Sequence, residues 1–109
     1  MRQKIESYLG LAKKAGKLLA GYNKCLDAIE KGKIKLLIIS EDVSENSMKK
    51  MIKLAETKKT KYRIYGQSEE TGRITGNPGR GIFGITDKNF AEVIIKEIDQ
   101  KEFEKKEVF

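Results

Sequence analysis

Apolar residues recur at Ile5, Tyr8, Leu9 and Ala12, which lays one apolar face along a first helix. Gly16 stops that helix in the position where a left-handed residue is favoured. Lys17–Ala20 then reads as a short strand, followed by a second helix with Cys25, Leu26 and Ile29 inward. Asn23 is placed to cap this helix and Gly32 to end it. Leu36–Ile39 is an unbroken apolar run, the pattern of a strand buried on both faces. Ser44 caps a third helix, where Met48, Met51, Ile52 and Ala55 return to helical spacing.

Tyr62–Tyr65 alternates weakly, as a strand would, and Ser68 opens a short fourth helix that ends near Gly76. The stretch "GNPGRG", 76–81, is a tight loop, and Ile82–Ile85 a short apolar strand. Asp87 caps a last helix with Phe90, Val93, Ile94 and Ile98 inward, and its charged tail is expected to fray. Strands alternating with helices predict one α/β domain over 1–109, with helices on both sheet faces.

Charge changes this picture. The chain of 109 residues has 23 Lys and Arg against 16 Asp and Glu, a net of +7. Residues 1–35 hold nine bases and three acids, so most of the excess falls in the opening third. A basic balance points to nucleic acid as partner, although solvated helix faces also carry lysines. There is one cysteine and no histidine, which excludes an intrachain disulfide, a Cys/His zinc site and a histidine base. No metal or cofactor is expected. No run approaches the length of a membrane span and no leader pattern opens the chain, so a reduced, cytoplasmic setting is expected.

Four places could carry chemistry. "GRGIFG", 79–84, fits the spacing of a dinucleotide motif, but it runs into a strand rather than opening a helix. Its glycines read as a tight turn and close strand packing. Glu41 and Asp42 end the most buried strand and are the sole candidate acid pair for an enzyme. Nothing in the sequence completes such a site, and Asp42 reads as capping or shaping the turn into the third helix. Cys25 reads as a small core residue. The fourth place is "GYNKCLDAIEKGK", 21–33. Asn23 at a helix start would present free backbone N–H groups to phosphate, with Lys17 and Lys24 flanking. It would equally serve as a plain cap.

The stretch "GKLLAGYNKCLDAIEKGKIKLLIISEDVSEN" resembles the kink-turn-binding family of ribosomal proteins and its small bacterial relatives. The family pattern G-K…G-x-N-E-x-x-K…(R/K)-G…(A/S)-x-D is met by Gly16-Lys17, Gly21-Tyr22-Asn23-Lys24, Asp27, Lys31-Gly32 and Ser40-Glu41-Asp42. A second signature, L-G-x-A-x-G, is similar to Thr71–Gly76, and the likeness spans roughly residues 5–98.

The resemblance implies a three-layer α/β/α sandwich around a four-stranded mixed sheet. It also implies binding to a kink-turn, a sharply bent RNA with tandem sheared G·A pairs. Carried over by position, Gly21, Asn23, Lys24 and Asp27 would face those pairs. Asn77, Pro78, Gly79 and Arg80 would form the loop over the flipped-out nucleotide, and Lys17 and Lys33 would meet phosphates.

Lys24 stands where the family has glutamate, and Asp27 where it has lysine. Glutamate accepts from guanine edges, whereas lysine only donates. The two lie three apart on one helix face, within pairing reach. These features imply a non-enzymatic, ribosome-associated RNA binder, monomeric without RNA. The alternative is a protein-interaction module on the same fold.

Overall fold

The computed structural model describes residues 4–107, with side chains described for 4–103. Nine elements follow in order: α1 (Lys4–Lys14), β1 (Leu18–Ala20), α2 (Tyr22–Glu30), β2 (Leu36–Ile39), α3 (Glu45–Thr57), β3 (Tyr62–Ile64), α4 (Ser68–Ile74), β4 (Ile82–Ile85) and α5 (Lys88–Glu107). The strands form one mixed sheet in the order β1-β4-β2-β3. β4 lies antiparallel to both β1 and β2, and β2 is parallel to β3.

The layers follow from strand alternation. Leu36 and Ile38 of β2 join Ile5, Leu9, Ile94 and Ile98 in one core, against α1 and α5. Leu37 and Ile39 point the other way, into a second core with Cys25, Ile29, Met51 and Ala55 from α2 and α3. This double burial is what the unbroken apolar run of β2 requires, and it makes the sheet the middle of three layers. At about 25 cal/mol per Å² of apolar surface, such side chains contribute roughly 1.5–3 kcal/mol each.

Glycines set the close approaches of the sheet. A Cβ on Gly84 would come within 2.4 Å of Ile34 Cδ1, and one on Gly81 within 2.3 Å of Ser68 Oγ. Within "GRGIFG", Gly81 and Gly84 therefore serve packing, and Gly79 serves the turn before β4.

Three sequence expectations shift. Val93 is exposed, and Ala91 takes its place inward beside Ile94 and Ile98. Leu26 is half-buried, and Ala28 fills the inner face of α2. Asp42 does not cap α3, because Ser44 Oγ already accepts from Ser47 N–H at 3.2 Å. Asp42 caps α4 instead, accepting from the Ser68 N–H at 2.9 Å and the Ser68 hydroxyl at 2.8 Å. α5 continues as helix through Glu107, over most of the tail where fraying is expected, and residues 108–109 lie outside the described residues. Among the described residues, no helix is long and apolar enough to cross a membrane.

Candidate nucleic-acid interface

Two segments more than fifty residues apart in sequence meet at one end of the sheet. Gly21 follows β1, and its N–H donates to the Ile82 carbonyl at 2.8 Å, at the start of β4. Because β1 and β4 are antiparallel, the residues just before β4 arrive beside those just after β1. Those residues are Asn77–Arg80. Together with Ala20, Gly21, Tyr22, Asn23 and Lys24, Asn77 and Arg80 line a groove of about 320 Å³.

The α2 side of the groove depends on one glycine. Gly21 has φ 108°, a conformation that strains any residue bearing a Cβ. A Cβ there would also lie 3.7 Å from Nη1 of Arg80, whose side chain passes over the glycine. Gly21 is the residue that caps α2, and no side chain caps the helix. Asn23 is therefore not the cap, a correction to the sequence reading. It sits inside the first turn, exposed, with no hydrogen bond from its amide among the described residues.

The first turn of α2 holds no acid. Lys24 adds a cation at the positive end of the helix dipole, where cations are disfavoured. The combination creates a local positive potential that an anion would relieve. Asp27 lies one turn on, along the face of Asn23, and outside the groove lining. It pairs with Lys31 at 3.0 Å rather than with Lys24, so Lys24 remains free for a ligand.

The loop side is held by a polar net. The Asn77 N–H donates to the Gly72 carbonyl at 2.7 Å, and the Arg80 N–H to the Asn77 carbonyl at 3.1 Å. Pro78 and Gly79, with Gly79 at φ 82°, occupy the central positions of a type II turn. The Asn77 side-chain amide donates to the Thr75 carbonyl at 2.9 Å. Buried Thr71 sits 3.2 Å from buried Ser40 at the end of β2, and donates to the Gln67 carbonyl. A Cβ on Gly72 would meet the Asn77 carbonyl at 2.8 Å, so Gly72 lets the loop fold back on α4.

The acids near this end support the same loop. Glu41 accepts from the Gln67 amide at 3.1 Å. Hydrogen bonds from the Ser68 backbone and hydroxyl hold the Asp42 carboxyl below the usual aspartate range. Both candidate catalytic acids thus tie α4 in place, and no metal-competent cluster occurs among the described residues. Burial pushes the Cys25 thiol up to about 12, as suits a core residue.

Lys17 and Lys33 do not join the groove. Lys17 immediately precedes β1, and its carbonyl accepts from the Thr86 N–H at 2.9 Å, beyond the far end of β4. It is about 13 Å from Gly21 by strand rise. Lys33 follows the opposite end of α2, its N–H donating to the Ala28 carbonyl. Of the sequence-expected residues, Gly21, Asn23, Lys24, Asn77 and Arg80 line the groove, with Pro78 and Gly79 exposed at its loop tip.

Residues 3–95 match the ribosomal protein L7Ae/L30e/S12e/Gadd45 family. The chain belongs to that family. It is 31% identical over 91 residues to the RNA-binding protein YlxQ of Bacillus subtilis (strain 168), covering 84% of this chain and 91% of the relative. It is 36% identical over 92 residues to the RNA-binding protein YlxQ of Enterococcus faecium, covering 84% and 87%. Among solved structures, a protein of unknown function from Bacillus halodurans C superimposes with a TM-score of 0.87 at 28% identity, over 90% of this chain and 99% of the other. The Giardia lamblia 15.5kD RNA binding protein shares the fold, with a TM-score of 0.76 at 16% identity over 92% of each chain.

Proposed function

We propose that this protein is a non-enzymatic RNA-binding protein that takes kink-turn or similarly bent RNA into the groove between α2 and the 77–80 loop. The observation that carries the reading is the convergence of a helix N-terminus without a side-chain cap, a pinned Pro-Gly turn and the Arg80 guanidinium. A bent RNA presents a sharp phosphate ridge and an extruded nucleotide, and the groove offers a complement to each. The first turn of α2, with Lys24, takes phosphate through N–H donors and charge. The free Asn23 amide reads a base edge, since it can donate and accept at once. Arg80 provides a planar cation to stack on or bridge to the displaced nucleotide.

The exchange of charges relative to the family pattern fits this division. Lys24 cannot accept from guanine, so its part is phosphate neutralisation, and base reading falls to Asn23. Asp27, held by Lys31, keeps its charge from facing the RNA unpaired. The names of the curated relatives support RNA as the partner, and the family supports a ribosome-associated role in the cytoplasm.

The test is a titration of a kink-turn RNA and a straight duplex of equal length at two salt concentrations. Tighter binding of the bent RNA is expected, lost in Arg80→Ala. Equal affinity for both RNAs would sink the claim of bend recognition. Sedimentation of the native protein with ribosomal particles, abolished by nuclease, tests the ribosomal role. Persistence of a complex after nuclease would favour a protein-interaction module instead.

A further inference from the structure

The opposite end of the sheet holds the larger charge. Lys17, Lys35 and Lys61 each stand immediately before a strand, β1, β2 and β3 in turn. Lys88 opens α5 just after β4. A concavity of about 350 Å³ at this end is lined by Lys35, Lys58, Lys59, Lys61 and Lys88, with Glu92 as its one acid. These side chains carry a net of +4, more than half of the chain's +7. Lys88 approaches Glu92 at 4.0 Å, whereas Lys35, Lys58, Lys59 and Lys61 have no ion-pair partner among the described residues.

We infer that this end is a second RNA surface, which takes the phosphate backbone of a duplex segment distinct from the bend. The inference rests on the proposed reading of RNA as this protein's partner. Unpaired lysines on separate segments around one hollow suit a polyanion whose charges recur along a ridge. An acidic protein would need apolar or aromatic anchors at the centre of the contact. The apolar residues of the lining are recessed, Ile34 and Ala91 buried and Ile95 half-buried, and the exposed large ones, Leu11, Ile64, Val93 and Phe103, lie outside it.

Lys59 adds a backbone observation. It has φ 57°, the sole described non-glycine residue at positive φ, in the position after α3 where glycine ordinarily stands. Its side chain is held at the rim at a conformational cost. Lysine there gives up backbone ease and supplies charge.

The surface is contacted without reading sequence, so a straight RNA duplex is its probe. In Lys58→Gln/Lys59→Gln/Lys61→Gln, duplex affinity is expected to fall by about tenfold or more. The slope of log affinity against log salt should become shallower by about 2–3, near 0.9 per lost phosphate contact. Preference for the bend over the duplex should remain. Lys59→Gly separates charge from folding: its melting temperature should hold or rise while duplex affinity falls. Unchanged duplex affinity and salt slope in the triple variant would overturn the inference, as would no duplex binding by the wild type at low salt. Lysine-dependent capture of an acidic protein in place of duplex would overturn it too. If bend preference is absent while duplex binding still depends on these lysines, the groove reading fails and this one stands.

Discussion

The two ends of one sheet solve opposite problems. At the groove end, glycines and hydrogen bonds fix backbone shape while charge is sparse: Lys24 and Arg80 are the cations in the lining. At the lysine end, five cations surround a hollow with few side-chain bonds to hold them. The first arrangement suits recognition of a particular shape, because the donors are positioned before the ligand arrives. The second suits attraction of any phosphate ridge, because long-range charge needs no fixed geometry. Summing charge along the chain would thus misplace the specific site. Lys31, Lys33 and Lys35 contribute to the basic opening third, yet follow the C-terminal end of α2, away from the groove.

The strongest way to break the contrast is Gly72→Ala. Its methyl group would press on the Asn77 carbonyl, which is backbone and cannot swing aside. Overpacking of this kind costs about 1–3 kcal/mol. Chemical denaturation should show that loss, and bent-RNA affinity should fall with it while duplex binding at the lysine end survives. Loss of both binding modes in a folded variant would show that the ends are not independent.

Asn23→Ala is the cleaner probe of the groove. Because Gly21 is the capping residue and the Asn23 amide is free, stability should stay within about 0.5 kcal/mol. Bent-RNA binding should weaken by about 1–3 kcal/mol if the amide meets a base edge. A calorimetric titration beside a thermal melt decides it.

Smaller effects come from acid. Hydrogen bonds from Ser68 lower the pKa of Asp42, and those from Arg63 lower that of Asp99. A depressed carboxylate contributes stability above the ordinary aspartate value, near 3.9, that is lost as pH falls through the folded value. Denaturant midpoints should therefore fall below about pH 4. Asp42→Asn should flatten part of that limb and loosen α4 at the groove end. A double-mutant cycle on Arg63 and Asp99, 2.7 Å apart and partly exposed, should return about 0.2–1 kcal/mol.

The smallest expected effect is none. Cys25 is buried and protonated up to about pH 12, so iodoacetamide at pH 8 should label it only after unfolding. Labelling of the native protein would mean that α2 opens.

Much of the fold was legible because its elements rest on local periodicity. The double burial of Leu36–Ile39, the stop at Gly16, and the caps Ser44 and Asp87 are all local signals. Asp87 accepts from the Phe90 N–H at 2.9 Å, as its place before α5 predicted. Asn23 misled because a good capping residue stood two positions after the cap, inside the first turn. Glycine at 21 was already required by φ 108° and by the passing Arg80. Asp42 misled because its partner, Ser68, is distant in sequence.

The elements, the two-sided core and the residue types available for RNA thus follow from the chain's local pattern. Hydrophobic period and turn chemistry are properties of neighbouring residues. Which of those residues share a surface depends instead on how the strands pair. The antiparallel register of β1 and β4 brings Arg80 over Gly21, and the same strand directions send Lys17 and Lys33 to the opposite end.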